Sequence, residues 1–180
     1  DLSAALETVL RNAKAAEPHD LTSYVPSILS LLAYLSKHGE GDKLNAVFDL
    51  LGPVALPGLL SRLSATNRWN GGERLWIDLI KMIKQSISKA DSVDPRIAES
   101  LVAVLSGLVI TERNSYSSGY FVGKDFYICN ALEALAARAP PRIMERAVAP
   151  LFAKLKRAQR QGQDITPYSR VLEVIRNPEV

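Results

Sequence analysis

Apolar side chains recur along most of this sequence with the three-to-four-residue period of a helix that is half buried. The clearest case is 75–87, where one face carries Leu75, Trp76, Leu79, Ile80, Ile83 and Ile87. The opposite face carries Arg74, Asp78, Lys81 and Lys84. The same pattern predicts helices at 2–16, 21–38, 42–51, 54–65, 72–89, 95–112, 125–138, 141–160 and 167–177. Because the β-branched and aromatic residues near 120–128 have no partner run, no strand pair is predicted. The predicted fold class is all-α.

Helix-start signals support several of these boundaries. In Asp94-Pro95, the carboxylate can accept an unpaired backbone N–H, and proline loses nothing at the first helical position. Pro140-Pro141 and Thr166-Pro167 repeat this signal further along the chain. Asn70 and Glu73, three residues apart, are expected to form a capping pair at the start of the helix at 72–89.

The helices can be grouped into three hairpins: 21–38 with 42–65, 72–89 with 95–112, and 125–138 with 141–160. Proline-led apolar runs lie in the first and third hairpins: Val25-Pro26-Ser27-Ile28-Leu29, Leu56-Pro57-Gly58-Leu59-Leu60 and Ala149-Pro150-Leu151-Phe152. This arrangement resembles HEAT or armadillo-like helical repeats, which stack helix hairpins into a curved solenoid. The hairpins start 51 and 53 residues apart, a longer spacing than the roughly 40–47 residues of those repeats. We therefore predict a short solenoid of this kind, with an irregular helical bundle as the alternative.

The length and composition are those of a globular protein. We expect residues 1–180 to form a single domain, or a compact fragment of a longer repeat protein. A content of 47% hydrophobic and 23% charged residues excludes wholesale disorder. The single cysteine, Cys129, excludes an intramolecular disulfide and favours an intracellular location. The longest strongly apolar stretch, 28–35, is shorter than the roughly 20 residues of a membrane span, so no span is expected.

Residues that could carry catalysis are sparse. His19 and His38 belong to no paired metal motif, and nothing places a histidine beside Cys129. We interpret His38, in Lys37-His38-Gly39, as a residue at a helix C-terminus. The segment 119–125 differs from a phosphate-binding loop in its glycine spacing and has no Ser or Thr after Lys124. The sequence therefore predicts a protein that is not an enzyme, with no metal and no cofactor.

Aromatic residues concentrate in one predicted loop. Five of the ten Tyr and Phe residues fall within 116–127: Tyr116, Tyr120, Phe121, Phe126 and Tyr127. Exposed aromatic side chains in long loops are favoured anchors for a protein partner. We predict partner contacts at Tyr116, Tyr120 and Phe121, and at Trp69 in a second loop. The alternative is that Phe126 and Tyr127 begin a helix and pack into the core.

Positive charge concentrates near the C-terminus. Residues 1–137 have a net charge of −2, whereas residues 138–180 have a net charge of +5. On one helix over 141–160, the basic residues fall on one side: Arg142, Arg146, Lys156, Arg157 and Arg160. The apolar set is predicted on the other side: Met144, Ala147, Val148, Leu151, Phe152 and Leu155. Such a basic stripe can bind phosphates, although no aromatic residue is expected within it.

These features predict a non-catalytic helical-repeat module that binds another protein or complex subunit as a scaffold. The alternative is an RNA- or nucleic-acid-binding helical module that uses the basic stripe. The two hypotheses differ in what they require at the surface. Protein binding requires a contiguous exposed apolar patch, whereas nucleic-acid binding requires a continuous positive surface.

Overall fold

A computed structural model describes residues 2–15, 21–66, 73–111 and 124–177. Every regular element within these ranges is helical, which confirms the all-α prediction. The α-helices are α1 (Leu2–Ala15), α2 (Leu21–Lys37), α3 (Asn45–Leu51), α4 (Leu56–Ala65), α5 (Glu73–Ser88), α6 (Pro95–Thr111), α7 (Lys124–Ala136), α8 (Pro141–Met144), α9 (Val148–Arg160) and α10 (Thr166–Arg176). Short 3-10 turns lie at Gly41–Leu44, Gly52–Ala55 and Glu145–Ala147.

The chain divides into two compact units, Asp1–Ala90 and Asp91–Val180. Helices α1 to α5 belong to the first unit, and α6 to α10 belong to the second. The middle predicted hairpin, 72–89 with 95–112, therefore has one arm in each unit. The HEAT/armadillo-like stacking and the single domain stay predictions.

Local capping explains where two of the helices begin. Asp94 Oδ1 accepts hydrogen bonds from the N–H of Arg96 at 2.9 Å and of Ile97 at 3.4 Å, which confirms the start predicted for α6. At the start of α10, Asp164 Oδ1 accepts hydrogen bonds from the Thr166 N–H at 2.9 Å and hydroxyl at 2.7 Å. The pKa of Asp164 is lowered, first by the Thr166 hydroxyl and then by the Thr166 N–H. Asn70 of the other predicted cap lies outside the described residues.

The core of the first unit forms around α5, which packs against α2, α3 and α4. The predicted apolar face of α5 is confirmed: Trp76, Leu79, Ile80, Ile83 and Ile87 are buried. Burying each such side chain contributes about 1.5–3 kcal/mol. The opposite face is less exposed than expected, because Asp78 is half-buried and its Oδ2 accepts a hydrogen bond from the Ser36 hydroxyl at 2.7 Å.

A glycine allows α4 to lie close against α2. A Cβ at Gly58 would lie 2.7 Å from Val25 Cγ1 and 3.2 Å from Leu29 Cδ1. Both distances are shorter than ordinary van der Waals contact. Gly58 is therefore a packing residue within the first unit.

The stretch Gly41–Ala65 comprises 25 residues and, among the described residues, is the one long and apolar enough to cross a membrane by length and composition. Its buried side chains include Val47, Phe48 and Leu59. Packing inside the first unit requires the same apolar composition. The absence of a membrane span stays a prediction.

The second unit is built from contacts of α6 with α7 and α9, and of α10 with α7 and α9. Its aliphatic core includes Leu101, Leu105, Val109, Ile128, Leu132, Leu135, Leu151 and Val171. The Val93 N–H donates a hydrogen bond to the Arg138 carbonyl at 3.2 Å, which joins the segment before α6 to the turn after α7.

The prediction of one helix over 141–160 is wrong in its continuity. Helix α8 ends at Met144, and the 3-10 turn Glu145–Ala147 separates it from α9. A 3-10 turn has about 3.0 residues per turn instead of 3.6, so the angular phase of α9 differs from that of a continuous helix. Of the five basic residues predicted to bind nucleic acid, only Lys156, Arg157 and Arg160 lie on one uninterrupted α-helix.

Candidate functional site

An apolar groove lies between α1 and α2 in the first unit. It has a volume of about 80 Å³ and is lined by Val9, Asn12, Tyr24, Ser27, Ile28 and Leu31. Ile28 is buried, whereas Tyr24 has 42% of its surface exposed. The groove therefore has an apolar floor and an accessible aromatic wall. We call it the α1–α2 groove.

A ridge of large side chains runs along α2 beside this groove. Tyr24, Leu31 and His38 follow one another at seven-residue intervals, and Tyr34 lies between the last two. Seven residues are about two helical turns, so these side chains share one side of the helix. Tyr34 is 54% exposed, and its ring centroid lies 4.8 Å from that of His38. We call Tyr24, Leu31, Tyr34 and His38 the α2 ridge.

No charged side chain lines the groove. On α1, Arg11 and Lys14 each follow a lining residue, Val9 or Asn12, by two positions, which places them about 200° around the helix from it. Both line a different pocket. The only charged residue of α2 is Lys37 in its last turn. The groove is thus an apolar surface without charged lining residues.

The four predicted partner-binding residues, Trp69, Tyr116, Tyr120 and Phe121, lie outside the described residues. Helix α7 begins just after the predicted aromatic loop. Phe126 and Tyr127 lie in the first turn of α7, as the alternative prediction had it. Its second part, packing into the core, is wrong for Phe126, which is 42% exposed, whereas Tyr127 is half-buried. Their rings meet edge to face, with centroids 5.5 Å apart.

All five predicted nucleic-acid-binding residues are exposed, and they are divided among α8, the 3-10 turn and α9. Arg142 lies on the short helix α8, and Arg146 lies in the following 3-10 turn, 3.7 Å from Glu99. Lys156, Arg157 and Arg160 lie on α9. Helix α9 carries no acidic residue. The ion pairs among the described residues leave Lys156, Arg157 and Arg160 without a carboxylate neighbour.

Helix α9 faces the core differently from the prediction. Its buried side chains are Leu151, Lys154 and Ala158, at the helical spacing of three and four residues. The predicted placement of Phe152 in the apolar set is wrong, because Phe152 lies on the other side of α9 and is 42% exposed. The Lys156 ammonium lies 4.7 Å from the centroid of its ring. An aromatic side chain therefore does lie among the exposed cations.

A polar cluster is buried where α7, α9 and α10 meet. The Tyr168 hydroxyl donates a hydrogen bond to Asp125 Oδ2, and Lys154 Nζ lies 3.5 Å from the same oxygen. The side chains of Asp125 and Lys154 are only 1% and 9% exposed. A buried charge of this kind requires a partner, since an unpaired one costs several kcal/mol. This cluster fixes the relative positions of three helices, and we call it the Asp125 cluster.

Cys129 lies one turn after Asp125 on α7 and is buried. Burial raises the pKa of its thiol, and the nearby carboxylates of Asp125 and Glu133 raise it further. Because the thiolate is the nucleophile, this thiol is unreactive at neutral pH.

His38 is exposed on the α2 ridge, and His19 lies outside the described residues. Within the described ranges, no group of three His, Cys, Asp or Glu side chains could hold a metal ion.

The α1–α2 groove was not predicted from the sequence. The sequence signal that could have revealed it is the seven-residue spacing of Tyr24, Leu31 and His38 along a helix with a single charged residue and just beyond its end.

No family model, curated protein or solved structure matches this chain.

Proposed function

We propose that this chain is a non-catalytic interaction module of a larger protein or complex, and that it binds a partner protein through the α1–α2 groove. The observation that carries this proposal is the α2 ridge beside that groove. Tyrosine is among the side chains most favoured at protein interfaces, because it combines a large apolar surface with a polar tip. Between Tyr24 and Tyr34 the ridge contains no charged residue, which suits a desolvated contact.

The partner element that fits best is an amphipathic helix that inserts its apolar stripe. A helix presents apolar side chains every three to four residues and can insert them into a groove between two helices. The α2 ridge extends over about 21 Å, the length of about four helical turns.

The proposal also includes the way in which the helices stack. We infer that the helices form a short HEAT/armadillo-like solenoid, in which stacked helix hairpins present a continuous binding surface. The all-helical composition and the paired helices within each unit support it. In a solenoid the α1–α2 groove would be one section of a longer partner-binding surface.

Site-specific photocrosslinking tests the binding surface. A benzophenone amino acid replaces Tyr34 in the full chain, and Lys84 on α5 serves as the exposed control position in the same unit. We expect a discrete adduct with a different protein from position 34 in an extract of the source cells, and none from position 84. Mass spectrometry of the adduct should identify a helix with an apolar stripe.

A second substitution makes this test specific to the groove. Leu31→Glu places a carboxylate in the apolar lining without removing a core side chain, because Leu31 is only half-buried. The adduct at position 34 should disappear in this variant. An adduct that persists, an adduct with a second copy of this chain, or no adduct in the parent protein would each overturn the proposal.

A further inference from the structure

The solvent face of α9 carries an aromatic ring and two cations in line. Phe152, Lys156 and Arg160 are each four residues apart. Four residues advance an α-helix by about 6 Å and about 40° of rotation, so the three side chains follow one another along one face. The buried residues Leu151, Lys154 and Ala158 occupy the opposite face. We call Phe152, Lys156 and Arg160 the α9 face.

We propose that the α9 face binds single-stranded nucleic acid, with one base stacked on Phe152 and the neighbouring phosphates bound by Lys156 and Arg160. This surface lies in the second unit and is a different site from the α1–α2 groove.

The cations of this face are available to an anion. Among the described residues, no ion pair joins a carboxylate to Lys156, Arg157 or Arg160, and α9 contains no acidic residue of its own. Arg146, in contrast, lies 3.7 Å from Glu99, which partly offsets its charge. Successive phosphates of an extended strand have a separation similar to the rise between Lys156 and Arg160, so each cation can neutralise one phosphate.

The Phe152 ring makes the α9 face selective for a single strand over other anions. Aromatic side chains stack on exposed bases whatever the base identity, and this contributes about 1–3 kcal/mol per base. Lys156 covers the Phe152 ring at 4.7 Å in the free protein. An incoming base takes over the ring face, and the ammonium moves to the adjacent phosphate. The bases of a duplex are already stacked on one another, so a duplex gains nothing from Phe152.

Fluorescence anisotropy tests this inference with a labelled oligouridine of about 15 nucleotides, a length that spans a typical single-strand site. A DNA duplex of the same length and vesicles containing phosphatidylserine are the competing probes. With two phosphates neutralised by Lys156 and Arg160, we expect the affinity for the oligouridine to fall about fivefold between about 50 and about 150 mM salt. We expect the duplex to bind more weakly than the single strand.

Four variants separate stacking from charge. Lys156→Glu/Arg160→Glu should weaken oligouridine binding by at least about tenfold, because two phosphate contacts become repulsive. Phe152→Leu, which keeps an apolar side chain but removes the ring, should weaken it by at least about fivefold, and Phe152→Trp should retain it. The matched control is Arg62→Glu/Lys84→Glu, an equal charge reversal at two exposed positions of the first unit. This control should keep the affinity of the parent protein.

The remaining outcomes overturn the proposal. Binding that is equal for duplex and single strand, or that survives Phe152→Leu, would make the α9 face a general polyanion surface. Binding to anionic vesicles without binding to the oligouridine would assign it to a membrane surface. An equal loss in the Arg62→Glu/Lys84→Glu control would show that net charge, and not this face, determines affinity. Circular dichroism of each variant verifies that the helices remain folded.

Discussion

The two compact units keep their charged groups in different places. In the first unit, Asp78 is half-buried beside Lys81, and the surface that we assign to partner binding is aromatic and uncharged between Tyr24 and Tyr34. In the second unit, Asp125 and Lys154 are buried together, and the surface that we assign to binding is basic. Both units have an apolar core. The second unit adds to it a buried ion pair inside and exposed cations outside.

This difference predicts how each unit responds to substitution and to salt. Exposed ion pairs contribute little to stability, because water and ions screen them. A buried pair is different, since the loss of one partner leaves the other charge without solvation. The same reasoning makes binding at the α1–α2 groove insensitive to salt and binding at the α9 face sensitive to it.

The largest expected effect is the loss of Lys154. Lys154→Met should destabilise the second unit by about 3–5 kcal/mol, because Asp125 would remain buried beside an apolar side chain. The matched change in the first unit, Lys81→Met, should cost less than about 1 kcal/mol, because the Lys81 side chain is 36% exposed. Labelling of Cys129 with iodoacetamide as a function of urea measures the opening of the second unit.

A double variant sharpens this result. Asp125→Asn/Lys154→Met removes both charges but keeps an acceptor for the Tyr168 hydroxyl, so it should recover much of the stability that Lys154→Met loses. Equal losses in the single and double variants would indicate that packing, and not the buried charge, determines the effect.

Removing a hydroxyl donor should have the next largest effect. Tyr168→Phe removes the hydrogen bond to the buried Asp125 and should cost about 2–3 kcal/mol. Ser36→Ala removes the corresponding bond to Asp78 in the first unit and should cost about 1 kcal/mol, because Asp78 retains contact with water. Urea unfolding measures both values. A larger loss for Ser36→Ala would reverse the contrast between the two units.

Two glycines within helices should respond with opposite signs. Gly58→Ala in the first unit should destabilise by about 1–2 kcal/mol, because the new methyl group would overlap Val25. Gly107→Ala in α6 of the second unit should stabilise by about 0.5–1 kcal/mol, since nothing lies within 4 Å of the added Cβ and alanine favours helix. The melting temperatures of the two variants provide the test. Stabilisation by Gly58→Ala would mean that α4 and α2 lie further apart.

The smallest expected effect concerns acid stability. The pKa of Asp164 is lowered in the folded protein by the Thr166 hydroxyl and N–H, so its charged form stabilises α10. This contribution is present above the ordinary carboxyl value of 3.8 and is lost as the pH falls through the lowered pKa. Asp164→Asn should remove this part of the acid dependence and leave a small change at neutral pH, since Asp164 is exposed. Urea unfolding at a series of acidic pH values measures it.

The sequence predicts those parts of the fold that depend on neighbours along the chain. The apolar face of α5 and the start of α6 at Asp94-Pro95 follow from periodicity and capping within a few residues. The break between α8 and α9 does not, because a 3-10 turn leaves the apolar pattern nearly intact while it changes the phase. The angular positions of Arg142 and Arg146 relative to α9 therefore do not follow from the period of one continuous helix.

The burial of Lys154 and the exposure of Phe152 also lay beyond sequence reasoning. A lysine is rarely buried unless it is paired, and its partner Asp125 lies on another helix, as does the Tyr168 hydroxyl that donates to the same carboxylate. Once Lys154 faces the core, the geometry of α9 turns Phe152 toward solvent. The α2 ridge, in contrast, could have been recognised from the seven-residue spacing of Tyr24, Leu31 and His38.

The most direct test of partner binding is the photocrosslinking yield from position 34, compared between Leu31→Glu and Lys156→Glu/Arg160→Glu. The proposed apolar contact at the α1–α2 groove predicts that Leu31→Glu abolishes the adduct. It also predicts that the α9 variant, changed in the other unit, retains the parent yield at low and at high salt. A yield that survives Leu31→Glu, or that falls with the α9 variant or with added salt, would show that the partner does not bind through the groove.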